Sequence, residues 1–66
     1  MLYLEIYYDR NSRMPGDEEK RYLQDWCMEE AEEYIQKRQR LMGFKRAFIY
    51  LVHDKERVEI KRFQPL

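Results

Sequence analysis

The lack of a possible internal disulfide is the first constraint on this chain, because its 66 residues include one cysteine, Cys27. A chain of this size buries only about 60% of the surface that it exposes when unfolded, so its core is thin. Small domains usually gain stability from disulfides, a bound metal or self-association. One cysteine forms no disulfide within the chain, and a single histidine, His53, leaves no ligand set with zinc spacing. We therefore expect self-association, and no cofactor or metal.

The charges are segregated along the chain although the net charge is zero. Residues 17–33 contain eight acids and two bases, and the excess of bases lies elsewhere. A neutral total argues against a general nucleic-acid binder but allows local basic surface. With 39% charged and 44% hydrophobic residues, the composition is that of a globular domain rather than a disordered chain.

The sequence carries no sign of export or membrane insertion. The longest uncharged apolar run, residues 47–52, is far shorter than the roughly 20 residues of a membrane-spanning helix. Residues 1–8 alternate in polarity, unlike a signal peptide. A lone cysteine fits a reducing compartment. We expect a cytoplasmic protein without a membrane partner, forming one domain over residues 1–66.

A strand and then a long amphipathic helix are expected in the first two thirds of the chain. Residues 2–8 alternate between apolar and polar, which predicts a half-buried strand. Residues 9–16 have turn chemistry, and a helix should begin near residues 15–17 and end at Leu41 or Met42, with Gly43 as its cap. Its apolar stripe comprises Leu23, Cys27, Ala31, Tyr34, Leu41 and Met42. A helix over residues 17–42 would be roughly 39 Å long and would overhang its sheet.

Two more strands, residues 44–53 and 57–63, are separated by a short polar connection and read as a hairpin. The expected fold is therefore α+β with the order β-α-β-β: a three-stranded sheet with one long helix packed on one face. The first strand could lie parallel to the second through a crossover, or antiparallel to the third.

One face of that sheet is expected to be rich in aromatic side chains. The helix is expected to cover the apolar residues Leu4, Ile6, Ile49, Leu51, Val58 and Ile60. Five aromatic residues then face the other way: Tyr3, Tyr7, Phe48, Tyr50 and Phe63. Such a patch is larger than most monomers expose. Tyrosine is common at interfaces, and the thin core needs support, so a homodimer interface is the preferred interpretation.

The alternative interpretation is a stacking platform for a nucleotide or single-stranded nucleic acid. Aromatic rings on an open sheet bind bases in this way when basic residues flank them. The flanking bases here are Arg46, Arg57, Lys61 and Arg62. Glu5 and Glu59 are expected on the same face and oppose this interpretation.

Catalytic chemistry is not indicated. His53 and Asp54 should point to opposite sides of a strand, and Cys27 falls on the buried helix stripe, so neither predicts a reactive group. Glu29 and Glu33 share one helix face, which is typical of a solvated surface rather than a metal site. We expect a non-enzymatic protein.

A third hypothesis is that the helix docks on another protein. Trp26 at the edge of the apolar stripe, with Glu29 and Glu33, would form that contact. Small domains of this composition are common among phage and mobile-element gene products, which favours an accessory role as an inhibitor or adaptor.

Overall fold

The computed structural model describes residues 1–8, 18–41 and 43–64. Its elements are β1 (Leu2–Tyr7), β2 (Glu18–Leu23), α1 (Met28–Leu41), β3 (Arg46–His53) and β4 (Glu56–Phe63). The four strands form one antiparallel sheet in the order β2-β1-β3-β4. The α+β class, the first strand and the final hairpin are confirmed. The prediction of a three-stranded sheet is wrong, because β2 is a strand. The predicted turn and helix start at residues 9–17 lie outside the described residues.

Strand β2 takes the place of the expected first turns of the helix. It runs antiparallel to β1, with Leu23 opposite Leu2 and Glu18 opposite Tyr7. Its run of glutamate, lysine and arginine has good helix propensity, but propensity is a weak prior that tertiary contacts override. Charged side chains are also usual on edge strands, where they discourage further pairing. Leu23 is buried in the core, and this burial together with pairing to β1 favours the strand.

Helix α1 begins eleven residues later than the latest predicted start, at Met28. Asp25 has a φ of 66°, a left-handed conformation that turns the chain out of β2. The Ala31 N–H donates to the Cys27 carbonyl at 3.2 Å, which opens the helix. The Cys27 N–H in turn donates to the Glu30 carboxylate at 3.3 Å, as the glutamate of a capping box does. The 14-residue helix is about 21 Å long, comparable to the strands, so it does not produce the expected overhang.

The end of α1 agrees with the sequence prediction. The last described helical residue is Leu41, and Gly43 has a φ of 74°. The Gly43 N–H lies 3.3 and 3.1 Å from the carbonyl oxygens of Arg38 and Gln39. This left-handed glycine satisfies carbonyls that the helix end leaves without a partner.

The core lies between α1 and one face of the sheet. Its fully buried large side chains are Leu4, Ile6, Leu23, Ile35, Phe44 and Ile49. The alternation in β1 and β3 therefore directs the predicted residues toward the helix. Ala31 and Ile35 are the buried residues of α1.

A β-bulge divides β4 into two parts. The β3–β4 register passes from Ile49 opposite Lys61 to Tyr50 opposite Glu59, so Ile60 has no residue opposite it. An extra residue in one strand reverses which face the following side chains occupy. Even-numbered residues of β4, such as Val58, therefore face the helix before the bulge, and odd-numbered residues, such as Lys61, face it after the bulge.

The bulge corrects the predicted placement of Lys61 and Phe63, which were expected on the face away from the helix. The Lys61 ammonium lies 2.6 Å from the Glu32 carboxylate of α1. Phe63 packs against the core cluster. Both side chains are therefore on the helix side.

No helix within the described residues is long and apolar enough to cross a membrane.

Candidate interaction surfaces

The sheet side away from α1 forms what we call the aromatic face. Strand alternation places there Tyr3, Glu5, Tyr7, Tyr22, Arg46, Phe48, Tyr50, Arg57, Glu59 and Arg62. Five of the seven residues proposed from sequence for an interface or ligand face are therefore together. Lys61 and Phe63 are not among them.

Glu5 is the centre of the aromatic face and only 8% exposed. Its carboxylate accepts hydrogen bonds from the phenol groups of Tyr3 and Tyr7, both at 3.1 Å, and of Tyr50 at 3.3 Å. The Arg57 guanidinium lies 3.6 Å from the same carboxylate. A buried charge is tolerated when it is paired and hydrogen-bonded in this way.

The phenols around Glu5 hold their protons tightly. Burial, and then the hydrogen bond to Glu5, raise the pKa of Tyr3 to about 12. Burial is also the largest cause of the raised pKa values of Tyr7 and Tyr50. All three groups therefore remain hydrogen-bond donors to Glu5 at neutral pH.

Arginine side chains cover the rings of this face. The guanidinium carbon of Arg46 lies 5.4 Å from the ring centroid of Tyr7. The corresponding distances are 5.1 Å from Arg57 to Tyr3 and 5.4 Å from Arg62 to Phe48. These are cation–π distances. Tyr3 is only 5% exposed, and Tyr7, Phe48 and Tyr50 are half-buried. Tyr22 of β2, whose ring centroid lies 4.7 Å from that of Tyr3, is 60% exposed on the same face. The large exposed aromatic patch expected from the sequence is therefore reduced to this ring at the β2 edge, and neighbouring side chains cover the other rings.

Sequence reasoning missed the role of Glu5, which it treated only as a charge opposing nucleic acid. The signal was the pattern Tyr-Leu-Glu-Ile-Tyr over residues 3–7, since strand alternation places both tyrosines beside the glutamate on one face. Tyr50 joins them because β3 pairs with β1.

A second surface, which we call the β4 strip, consists of Leu51, Val58 and Ile60. Leu51 lies opposite Val58 in the β3–β4 pair, and Ile60 is the bulge residue. The three side chains are 47%, 58% and 45% exposed. They were expected under the helix, and this expectation is wrong because α1 does not cover them. In the described part of the chain β4 is an edge strand, so its outer side faces no other strand.

A groove of about 370 Å³ adjoins the β4 strip through Leu51. Its other lining residues are Met1, Leu2, Leu23, Gln24, Asp25 and Trp26. The groove therefore extends from Leu51 toward the turn before α1, and both apolar and polar residues line it.

The residues proposed for a partner-docking helix do not act as one set. Trp26 precedes α1 and is half-buried, with its ring centroid 5.5 Å from that of Tyr34 and the Arg21 guanidinium 5.3 Å away. Glu29 and Glu33 are exposed on α1. Trp26 therefore packs within the fold, whereas the two carboxylates face solvent.

A partly buried polar cluster attaches β2 to α1. Glu19 accepts hydrogen bonds from the phenols of Tyr8, at 2.6 Å, and Tyr34. Arg38 donates to the Tyr34 oxygen from Nε at 3.0 Å and Nη2 at 2.7 Å. Burial and the bond to Glu19 raise the pKa of Tyr8, and the bond to Tyr34 raises that of Arg38. The cluster connects the edge strand to the helix.

The residues considered for catalysis are exposed. Cys27 is exposed at the start of α1 rather than buried on a helix stripe. His53 and Asp54 were expected to point apart, but they lie 3.7 Å apart at the exposed hairpin tip, where Asp54 has a φ of 55°. Among residues 1–8, 18–41 and 43–64, no three histidine, cysteine or acidic side chains converge as metal ligands do.

No protein-family model, curated protein or solved structure matches this chain.

Proposed function

We propose that this chain is a non-enzymatic binding module that acts through protein–protein contacts and pairs with a second copy of itself along β4. The observation that carries the proposal is the β4 strip, in which Leu51, Val58 and Ile60 are exposed beside the edge of the sheet. Removing a valine, leucine or isoleucine side chain from water stabilises a contact by about 1.5–3 kcal/mol.

The aromatic face is the weaker candidate for this contact. The hydroxyls of Tyr3, Tyr7 and Tyr50 are bonded to Glu5, and arginines lie over the rings. A second copy would have to displace those arginines before touching these rings, and would otherwise meet only Tyr22 at the β2 edge. The β4 strip has no such cover, and a 66-residue chain gains most from enlarging its apolar core.

The test is the mass in solution, measured by sedimentation equilibrium over a range of protein concentrations. Wild type should reach twice the 8.4 kDa chain mass, and Val58→Lys should remain a monomer. Leu41→Lys is the matched control, because Leu41 is 65% exposed on α1 and the same chemical change there should leave the dimer intact. A monomeric wild type, or a dimeric Val58→Lys, would contradict the proposal.

A dimer of this kind also suits the role of an inhibitor or adaptor. The exposed carboxylates of Glu29 and Glu33 on α1 lie outside the β4 contact. Two copies would present them twice to a basic partner protein.

A second candidate function is binding of a nucleotide or single-stranded nucleic acid to the aromatic face. Three guanidinium groups held over aromatic rings favour it, because arginine contacts both phosphates and bases. Arg57 is already paired with Glu5, and Arg62 with Glu59, which weakens this candidate. Fluorescence anisotropy of labelled single-stranded oligonucleotides tests it. Salt-dependent binding that Arg46→Ala weakens would favour this candidate over the protein-binding one.

A further inference from the structure

We infer that two β4 strands pair antiparallel about a two-fold axis through Val58, which joins the two four-stranded sheets into one sheet of eight strands. This inference rests on the proposed function and specifies its partner and register. It follows from which charges and apolar side chains lie at each position of the edge strand.

The two faces of β4 before the bulge differ in chemistry. Arg57 and Glu59 lie on the aromatic face, and Val58 lies on the helix side opposite Leu51. In an antiparallel pair, residues at equal distances from the two-fold axis stand opposite each other on one face. An axis through Val58 therefore places Arg57 opposite Glu59 of the second copy, and Glu59 opposite its Arg57. The two Val58 side chains meet on the axis.

Neighbouring axis positions lack this complementarity. An axis through Arg57 or through Glu59 brings two identical charges face to face. An axis through Glu56 brings the two Glu56 carboxylates together, and it also places Arg57 opposite Lys55 of the second copy.

An axis through Ile60 would pair Glu59 with Lys61 in sequence. The bulge at Ile60 removes that possibility, because Glu59 is on the aromatic face whereas Lys61 contacts Glu32 on the helix side. An axis through Arg57 would set Lys55 of the hairpin tip opposite Glu59, but it also sets Arg57 against itself. Within residues 56–60, only the axis through Val58 pairs opposite charges on one face.

The present partners of the two charged residues are compatible with this contact. The Arg57 side chain is 50% exposed and lies 3.6 Å from the Glu5 carboxylate. The Glu59 side chain is 37% exposed and lies 3.2 Å from the Arg62 guanidinium. Arg57 would then lie between Glu5 of its own chain and Glu59 of the second copy. A bulge twists a strand and ends regular pairing, so the ladder between copies would extend over residues 56–60.

Cysteine cross-linking in a Cys27→Ser background tests the register. Opposed residues of an antiparallel pair have Cα atoms about 4.5–5.5 Å apart, within the range that a disulfide spans. Val58→Cys should therefore form a covalent dimer that persists in a glutathione redox buffer. Leu51→Cys is the matched control, since it lies on the same face one strand away, roughly 14 Å from its copy in the dimer.

The outcomes separate the register from the proposed function. A dimeric wild-type mass with no Val58→Cys cross-link, or with an equally stable Leu51→Cys cross-link, would overturn the register and leave the proposed function standing. A monomeric wild type would overturn both.

A charge exchange gives a second measurement. Glu59→Arg alone places arginine opposite Arg57, and Arg57→Glu alone places glutamate opposite Glu59, so each variant should dimerise less tightly than wild type. In the mixed dimer both sites pair an arginine with a glutamate, and the mixture should associate about tenfold more tightly than either variant alone. Equal association of the mixture and of each variant would contradict the assigned register. Thermal unfolding of each variant identifies any loss of fold.

Discussion

The aromatic face and the β4 strip are both apolar regions outside the main core, and they differ in what covers them. The aromatic face holds five large rings, and Glu5 or an arginine bonds to or lies over four of them, so that only Tyr22 at the β2 edge is exposed. The β4 strip is smaller, and more than two fifths of each of its side chains is exposed. Aromatic content alone therefore does not identify an interaction surface, since exposure depends on the neighbouring side chains.

The chemistry of the side chains explains the difference. A tyrosine on a sheet face carries a hydroxyl that needs a partner, and its ring attracts a guanidinium. The aromatic face supplies both kinds of partner. Valine, leucine and isoleucine have no polar group that could recruit such a cover, so only another apolar surface can bury them. Helix α1 reaches β4 through the Glu32–Lys61 contact and leaves the strip open.

The largest expected effect comes from removing the centre of the aromatic face. Glu5→Ala should lower the free energy of unfolding by about 3 kcal/mol, because three phenols and a guanidinium lose a common charged partner in a buried setting. Urea unfolding at fixed protein concentration measures this change.

Glu18→Ala is the control for that variant, since Glu18 is on the edge strand β2 and its side chain is 50% exposed beside Lys20. We expect a change within about 0.5 kcal/mol there. Similar losses for Glu5→Ala and Glu18→Ala would show that the aromatic face does not depend on its central carboxylate.

A smaller effect is expected at high pH. Burial raises the pKa of Tyr3 from 10.0 to about 12, so above pH 10 the unfolded chain releases this proton while the folded chain keeps it. Stability is therefore fully present below pH 10 and is lost as the pH rises toward 12, by about 2 kcal/mol from this group. Urea unfolding at a series of alkaline pH values measures the loss.

Tyr3→Phe removes that ionisation and keeps the ring. It should lower the free energy of unfolding by about 1 kcal/mol at neutral pH for the lost hydrogen bond to Glu5. It should also make the alkaline decline shallower, and the raised pKa values of Tyr7, Tyr8 and Tyr50 account for the decline that remains. An unchanged decline in Tyr3→Phe would mean that other groups cause the loss of stability.

The smallest expected effect is on the β4 strip itself. Val58→Thr keeps a β-branched side chain in a strand and loses apolar surface that is 58% exposed. At dilutions where the chain is monomeric, the free energy of unfolding should change by less than about 0.5 kcal/mol. At higher concentrations the same variant should dimerise less tightly than wild type. A large loss in the monomer would mean that the strip stabilises the single chain.

Strong local patterns were predictable from sequence. The alternation of residues 2–8, the hairpin after Phe44 and the cap at Gly43 each depend on neighbouring residues, and the structure agrees with all three. Four aromatic residues of the candidate site were also placed together correctly, because β1 and β3 both alternate in polarity.

Strand β2 was not predictable in the same way. Its charged residues and Leu23 fit the periodicity of the helix that follows, and the turn at Gln24 and Asp25 contains neither glycine nor proline. The capping contact between Glu30 and Cys27 was the local signal for the true helix start. Pairing with β1 and burial of Leu23 decided in favour of a strand, and both are contacts between distant parts of the chain.

The sequence by itself determined the α+β class, the end of the helix and the alternation of the central strands, because these follow from local periodicity and backbone preference. Only the tertiary structure decided that Glu5 binds three phenols, that the bulge at Ile60 moves Lys61 and Phe63 to the helix side, and that the β4 strip stays exposed. The physical reason is that register and side-chain cover depend on contacts between strands, and one inserted residue reverses the face of every side chain after it.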